Sequence, residues 1–195
     1  MHRIAALSYG KSMSPTELAG WALGLAATHL RSMPPRLNHT LAVARRVQEV
    51  RGATSDPGRD LIPAALVHDI GYDPELRQTG MHAIDGAMHL RTLGFPAMVV
   101  CLVAFHTGAE YEADERGLSD ELAAFDRPPQ RLLDLLILAD LTTSPDGAAI
   151  SVEERLSEIF ARYPSGHAVH RSVLRSRAYL ERATSRASAD IGQPM

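Results

Sequence analysis

The chain has 195 residues, 45% of them hydrophobic, with a formal net charge of -3, enough apolar material for one domain with its own core. That charge balance, without a Lys/Arg block, argues against a dedicated nucleic-acid surface, and the single cysteine excludes a disulfide framework or a cysteine metal site. No stretch approaches the roughly 20 apolar residues of a membrane span, and Met1 to Gly10 holds no apolar segment long enough for a signal peptide, so a cytoplasmic protein without a membrane partner is expected.

Ser14, Pro15, Thr16 and Glu17 read as a helix start, after which Ala19, Leu23, Ala26 and Leu30 recur at helical spacing through residue 31. Trp21 and His29 belong to this helix. The Ser32 to Pro35 stretch stops it and starts a second, which runs to Gly52. There Leu37, Leu41, Ala44 and Gln48 form one stripe and His39, Val43, Val47 and Val50 another, so His39 points into protein; Arg45, Arg46 and Glu49 take the remaining face. Residues 52–59 are a loop by composition. Asp60 is expected to cap a short helix that Gly71 ends, and His68 and Asp69, each two turns after Leu61 and Ile62, face the core.

Tyr72 to Gln78 is a polar connection suited to the mouth of a pocket. Thr79 is the expected cap of a helix ending near Gly94, with His82 in its first turn. Asp85, one turn on, either accepts the second ring proton of His82 or is solvated; His89, on the stripe of His82, is the reserve candidate. Pro96 opens a helix that is apolar all round from Ala97 to Phe105, with Cys101 as a small buried hydrophobe and His106 at its end. Glu110 to Arg116 is a mixed polar segment, mostly solvated, from which Tyr111 or Arg116 could reach a substrate. After Pro128 and Pro129 an apolar helix closes on Asp140, a carboxylate that in such surroundings either raises its pKa or demands a partner such as a cation, the alternative being a simple hydrogen-bonded helix-end residue. Leu141 to Gly147 continues as a loop with hydroxyls suited to phosphate oxygens. Ser151 to Glu154 is a capping box for a helix through Arg162, Tyr163 to Gly166 breaks it, and a last helix runs from about His167 to Arg182. His167 and His170 are expected on the surface, and Thr184 to Met195 as a frayed tail. No segment alternates with period two, so the expected fold is an all-α orthogonal helical bundle.

The order His39, then His68-Asp69-Ile70-Gly71, then Asp140, on successive helices, resembles the HD superfamily of metal-dependent phosphohydrolases over about residues 30–150. His82 and His106 between the His-Asp pair and the last Asp resemble its binuclear branch. The resemblance implies a single HD domain over 1–195 with C-terminal helices at 151–183. It also implies one ion on His39, His68, Asp69 and Asp140 and a second on Asp69, His82 and His106. Asp69 would bridge, and His68 and Asp69 would be catalytic. Imidazole and carboxylate suit iron, manganese, nickel and zinc nearly alike, with magnesium also possible.

The activity so implied is hydrolysis of a small phosphate ester or nucleotide by metal-activated water. It suits a sequence with no Gly-x-Ser-x-Gly elbow, phosphate-binding glycine loop or nucleotide fingerprint. Two other readings stand beside it. One is a mixed-valent di-iron oxygenase acting on a phosphonate or polyol-like substrate, as in HD proteins similar to inositol oxygenase and the phosphonate-cleaving oxygenases. The other is a non-catalytic metal-binding regulatory domain. The expected partner is a small phosphorylated molecule, with a homodimer open.

Overall fold

Several helix starts fall where the sequence writes them. Ser14 accepts from the Glu17 amide while the Glu17 carboxylate takes the Ser14 N–H at 2.8 Å, and Ser151 with Glu154 repeats this reciprocal cap. Pro15 and Pro34 open helices, and Pro96 and Pro129 stand immediately before them, where a missing N–H is tolerated. The computed structural model describes residues 13–52 and 59–192. Met1 to Gly10, residues 53–58 of the expected loop and residues 193–195 lie outside the described residues.

In chain order the helices are α1 (Pro15–His29), α2 (Pro34–Gly52), α3 (Leu61–Val67), α4 (His82–Thr92), α5 (Ala97–Phe105), α6 (Ala109–Arg116), α7 (Ser119–Ala123), α8 (Gln130–Leu141), α9 (Val152–Arg162) and α10 (Ala168–Asp190). Among the described residues the only extended pairing is an isolated bridge between Thr143 and Ala149, so the fold is an all-α bundle. No described helix is long and apolar enough to cross a membrane.

Short α3 lies at the centre, packed by α1, α2 and α5, while α8 joins α2 to α10 and α4 covers α5. Leu61, Ala64, Val67, Leu102, Leu133 and Leu136 are fully buried there, each large side chain contributing about 1.5–3 kcal/mol of burial. The all-apolar α5 is buried from Val99 to Phe105, with Cys101 among its buried residues, as its composition predicts.

Several local expectations are corrected. On α1 the buried stripe is Leu18, Ala22, Ala26 and Leu30, and Leu23 is 45% exposed. Alanine and leucine recur on both sides of that helix, so periodicity permits two stripes and the position of α3 selects one. On α2 the His39, Val43, Val47 and Val50 stripe is the buried one, while Leu37 and Leu41 are half-buried and Gln48 is exposed. Asp60 does occupy the cap position of α3, but its backbone there is helical (φ -93°, ψ -7°) and its side chain makes no capping bond.

Gly71 does not stop α3 either. That helix ends at Val67, and Gly71 lies in a following 3-10 turn, Ile70–Tyr72. Its purpose is close approach: a Cβ there would lie 2.0 Å from the His82 carbonyl oxygen and 2.6 Å from the Gly86 amide nitrogen. The turn carrying the His-Asp pair is thereby laid directly against α4.

The segment Glu110 to Arg116, expected to be mostly solvated, is helix α6, with Glu115 joined to Arg171 and Arg175 of α10 at 2.7 and 2.8 Å. The last helix does not fray after Arg182 but continues to Asp190. Thr184, Ala187 and Ser188 are buried along it, and Arg186 grips Asp134 of α8 through two bonds of 2.7 and 2.8 Å.

Candidate metal centre

Three of the four central imidazoles are aimed by a backbone carbonyl. His68 follows the last residue of α3 and His106 the last of α5, where helix-end carbonyls lack intrahelical donors. Each ring donates its Nδ1–H to such a carbonyl three residues back, at 2.8 Å to Ala65 and 2.7 Å to Val103, which turns Nε2 toward the interior. His39, inside α2, does the same at 3.0 Å to the Ser144 carbonyl. His82 is the first residue of α4 and has a different support: its ring lies flat on Tyr72, centroids 4.1 Å apart at 19°.

All six residues singled out in the sequence come together, in two groups whose donor atoms lie within 4.8 Å of one another. One is His39, His68 and Asp140; the other is Asp69, His82 and His106. Asp69 stands at the junction, one oxygen 3.5 Å from His68 Nε2 and the other 3.6 Å from His82 Nε2 and 4.0 Å from His106 Nε2. Asp140, near the end of α8, faces His39 Nε2 at 3.0 Å with one oxygen, and its other oxygen accepts from the Thr107 hydroxyl.

Burial alone would push both carboxyl groups toward the neutral acid. For Asp69 the surrounding His68, Arg36 and His82 overcome it and hold the pKa well below the usual carboxylate range; for Asp140 the hydrogen bond and charge of His39 do the same. Burial lowers His68 and His82, so both present a lone pair at neutral pH. Burial lowers His39, but the hydrogen bond and charge of Asp140 at its Nε2, with the charge of Asp69, outweigh it and raise the ring above its ordinary value.

The donor set fits a divalent transition ion. His68 Nε2 is buried with no hydrogen-bond partner among the described residues, the kind of orphan that a coordinated cation satisfies. His82 Nε2 and His106 Nε2 are 3.1 Å apart, close to the roughly 3 Å between two nitrogens on one ion with bonds of about 2.1 Å. Carbonyl-held Nδ1–H groups are the usual outer support of metal-bound imidazoles.

Other candidates fall elsewhere. Asp85 neither meets the His82 ring nor is solvated: it is buried and accepts from the Thr79 amide, the Thr79 hydroxyl and the Gly80 amide at 2.8–3.0 Å, fastening the loop before α4. Met81, not Thr79, occupies the cap position. His89 packs edge-on against His29, which pairs with Asp73 at 2.7 Å. Tyr111 packs against Tyr179, and Arg116 pairs with Glu112 while lining a neighbouring cavity. The hydroxyls of Thr142, Thr143 and Ser144 are spent on local bonds rather than aimed at the centre. His167 caps α10, and His170 meets the Tyr163 carbonyl at 2.9 Å, so neither is a plain surface residue.

Three residues at the centre were not singled out by the sequence. Arg36, one turn before His39, donates to Asp69 at 2.7 Å and lies 3.7 Å over the Tyr72 ring. Arg155 of α9 is 7% exposed and approaches Asp140 to 3.9 Å. Thr107 adopts φ 45°, a left-handed conformation costly for a β-branched residue, which delivers its hydroxyl to Asp140. The signal for Arg36 was its helical spacing from His39; Thr107 had none.

Above the six residues is a cavity of about 90 Å³, walled by Thr107, Arg155, Ile159 and Tyr163 among others. Comparison with curated proteins and with solved structures found no match. The HD domain family model matches residues 36–156, a span that opens on Arg36, closes one residue past Arg155 and contains all six clustered side chains. On that match, which covers more than half of its length, the chain belongs to the HD domain family.

Proposed function

We propose that this HD protein is a binuclear metal-dependent phosphohydrolase acting on a small phosphate ester. Most members of the family are metal-dependent phosphohydrolases, and the observation that carries the finer reading is the pair of adjoining donor groups joined at Asp69. Iron, manganese, nickel or zinc suits those donors, with His39, His68, Asp69 and Asp140 on one side and Asp69, His82 and His106 on the other. Divalent ions bound there would acidify water and neutralise charge on phosphoryl oxygens.

The chain's own residues do the rest. Neutral His68 and His82 and ionised Asp69 and Asp140 keep the donors in their binding forms at neutral pH. The Ala65, Val103 and Ser144 carbonyls stop three rings from turning away. Arg36 and Arg155 set guanidinium groups beside the carboxylates, where they face an incoming phosphate and can pair with its oxygens. Ile159, Val173 and Tyr163 line the cavity beside them.

The test is metal analysis of the purified protein beside His68→Ala and Asp69→Ala, with phosphate release from p-nitrophenyl phosphate and bis(p-nitrophenyl) phosphate. Two ions in the wild type, loss in the variants and metal-dependent release support the reading. Equal metal in all three proteins overturns the site. Bound iron with oxygen consumption and no phosphate release on any ester moves the protein to the oxygenase class.

A further inference from the structure

A second, larger cavity of about 380 Å³ adjoins the central one. The two share Arg36, His39, Arg155 and Arg162 as walls, and the outer one is completed by Met33, Pro34, Pro35 and Pro145. The inner cavity is below the size of a small-molecule site and the outer one within it, taking about 300–1,000 Å³ as the usual range. An inner space of this size suits a reacting phosphate, with the remainder of the substrate outside.

The charges are distributed unevenly. No carboxylate lines the outer cavity among the described residues, whereas three arginines do. Another cavity, which shares Tyr72, His82, Glu112, Tyr163 and Val169 with the central one and no residue with the outer one, carries Asp73, Asp85 and Glu112 as well as Arg77 and Arg116. Arg155 is buried, and its Nε has no hydrogen-bond partner among the described residues, an arrangement that costs free energy unless something accepts from it. Its Nη1 meets Glu158 at 2.6 Å, and the same Glu158 also pairs with Arg162. The carboxylates near the three guanidiniums are Asp69, Asp140 and Glu158, so the charges balance before any cation is added. Two divalent ions on Asp69 and Asp140 would leave the arginines in excess, a surplus that a further anionic group on the substrate can balance.

We propose that the arginine-lined vestibule between α2 and α9 is a second anion subsite, so that the substrate carries a further phosphate or carboxylate beyond its reacting phosphate. The identity of the reacting group rests on the phosphohydrolase reading; the subsite itself does not. Arg162 holds the outer anion, Arg155 on the shared wall reaches both it and the reacting phosphate, and Arg36 stands between it and the centre.

Calorimetric titration of the metal-loaded protein compares propyl phosphate, propane-1,3-diyl bisphosphate and 2-carboxyethyl phosphate, with phosphate release followed on all three. The wild type should bind at least one of the two doubly anionic compounds about tenfold or more tightly than propyl phosphate, and which one it is distinguishes phosphate from carboxylate; in Arg162→Gln that preference should shrink to about twofold. Arg162 ends α9 partly exposed, so this variant keeps the test open if the buried Arg155→Gln does not fold. Equal affinity for all three compounds, or a preference unchanged in Arg162→Gln, overturns the subsite even if phosphate is released. An arginine-dependent preference with no release from any compound keeps the subsite and removes the phosphohydrolase reading.

Discussion

The two halves of the candidate centre are built by different means. In the group of His39, His68 and Asp140, both rings are locked by backbone carbonyls, the side chains are buried, and Thr107 holds the carboxylate. In the group of Asp69, His82 and His106, the His82 side chain is 17% exposed and rests on the face of Tyr72, and its place depends on how closely Gly71 lets the 3-10 turn approach α4. One half is made of core; the other is held against it by a glycine contact and a stacked ring. The rigid half should therefore keep an ion when the adjustable half is damaged.

The largest test removes the residue common to both. Asp69→Ala should lose both ions by metal analysis and reduce phosphate release by roughly a thousandfold. Retention of one ion would show that Asp69 serves a single half.

Gly71→Ala should cost about 3 kcal/mol or more, because a methyl group meets backbone rather than a side chain that can move. Gly86→Ala, whose Cβ would sit 3.2 Å from the Gly71 amide nitrogen, should cost less, since a helical alanine regains about 1 kcal/mol of propensity. Thermal melting of the two variants checks this, and equal losses would remove the special status of the Gly71 contact.

His82→Ala should leave one ion per chain and lower activity by about a hundredfold, whereas the same change at His39 should strip the rigid half. If both variants keep the same ion, measured by anomalous scattering, the division into halves fails. Tyr72→Leu should weaken only the ion on the His82 side, by about tenfold; a chelator competition titration that finds no change would assign the stack no role.

The smallest effect concerns protonation after chelation. His39 is raised above its ordinary 6.5 and His82 is held well below it. The His39 contribution to stability is thus present below about pH 6.5 and lost as pH rises through its folded value; that of His82 is present above about pH 6.5 and lost as pH falls. Imidazole resonances in an NMR titration should separate in that order, and the reverse order would contradict the pairing of His39 with Asp140.

Much of this was legible from residues alone. The six clustered side chains were readable because each is a polar exception on an apolar stripe or at the end of an apolar helix, in an order that resembles a known family. Arg36, Arg155 and Thr107 were not. Arginines on amphipathic helices look solvated until another helix crosses over them, and a left-handed threonine has no signature in its neighbours. The role of Asp85 was hidden because its partners, Thr79 and Gly80, become reachable only once the loop before α4 folds back.

The sequence by itself determined the all-helical character, the reciprocal caps at Ser14 and Ser151, the buried run of α5 and which six polar side chains stand out to form the cluster. These depend on interactions within a turn or two of helix, where spacing in the chain is spacing in space. Only the tertiary structure decided which stripe of α1 is core, that Gly71 exists for close approach, that α10 extends to Asp190, and that three arginines surround the centre. Those outcomes are set by which distant helix lies opposite, and burial and charge pairing across such contacts leave no period in the chain.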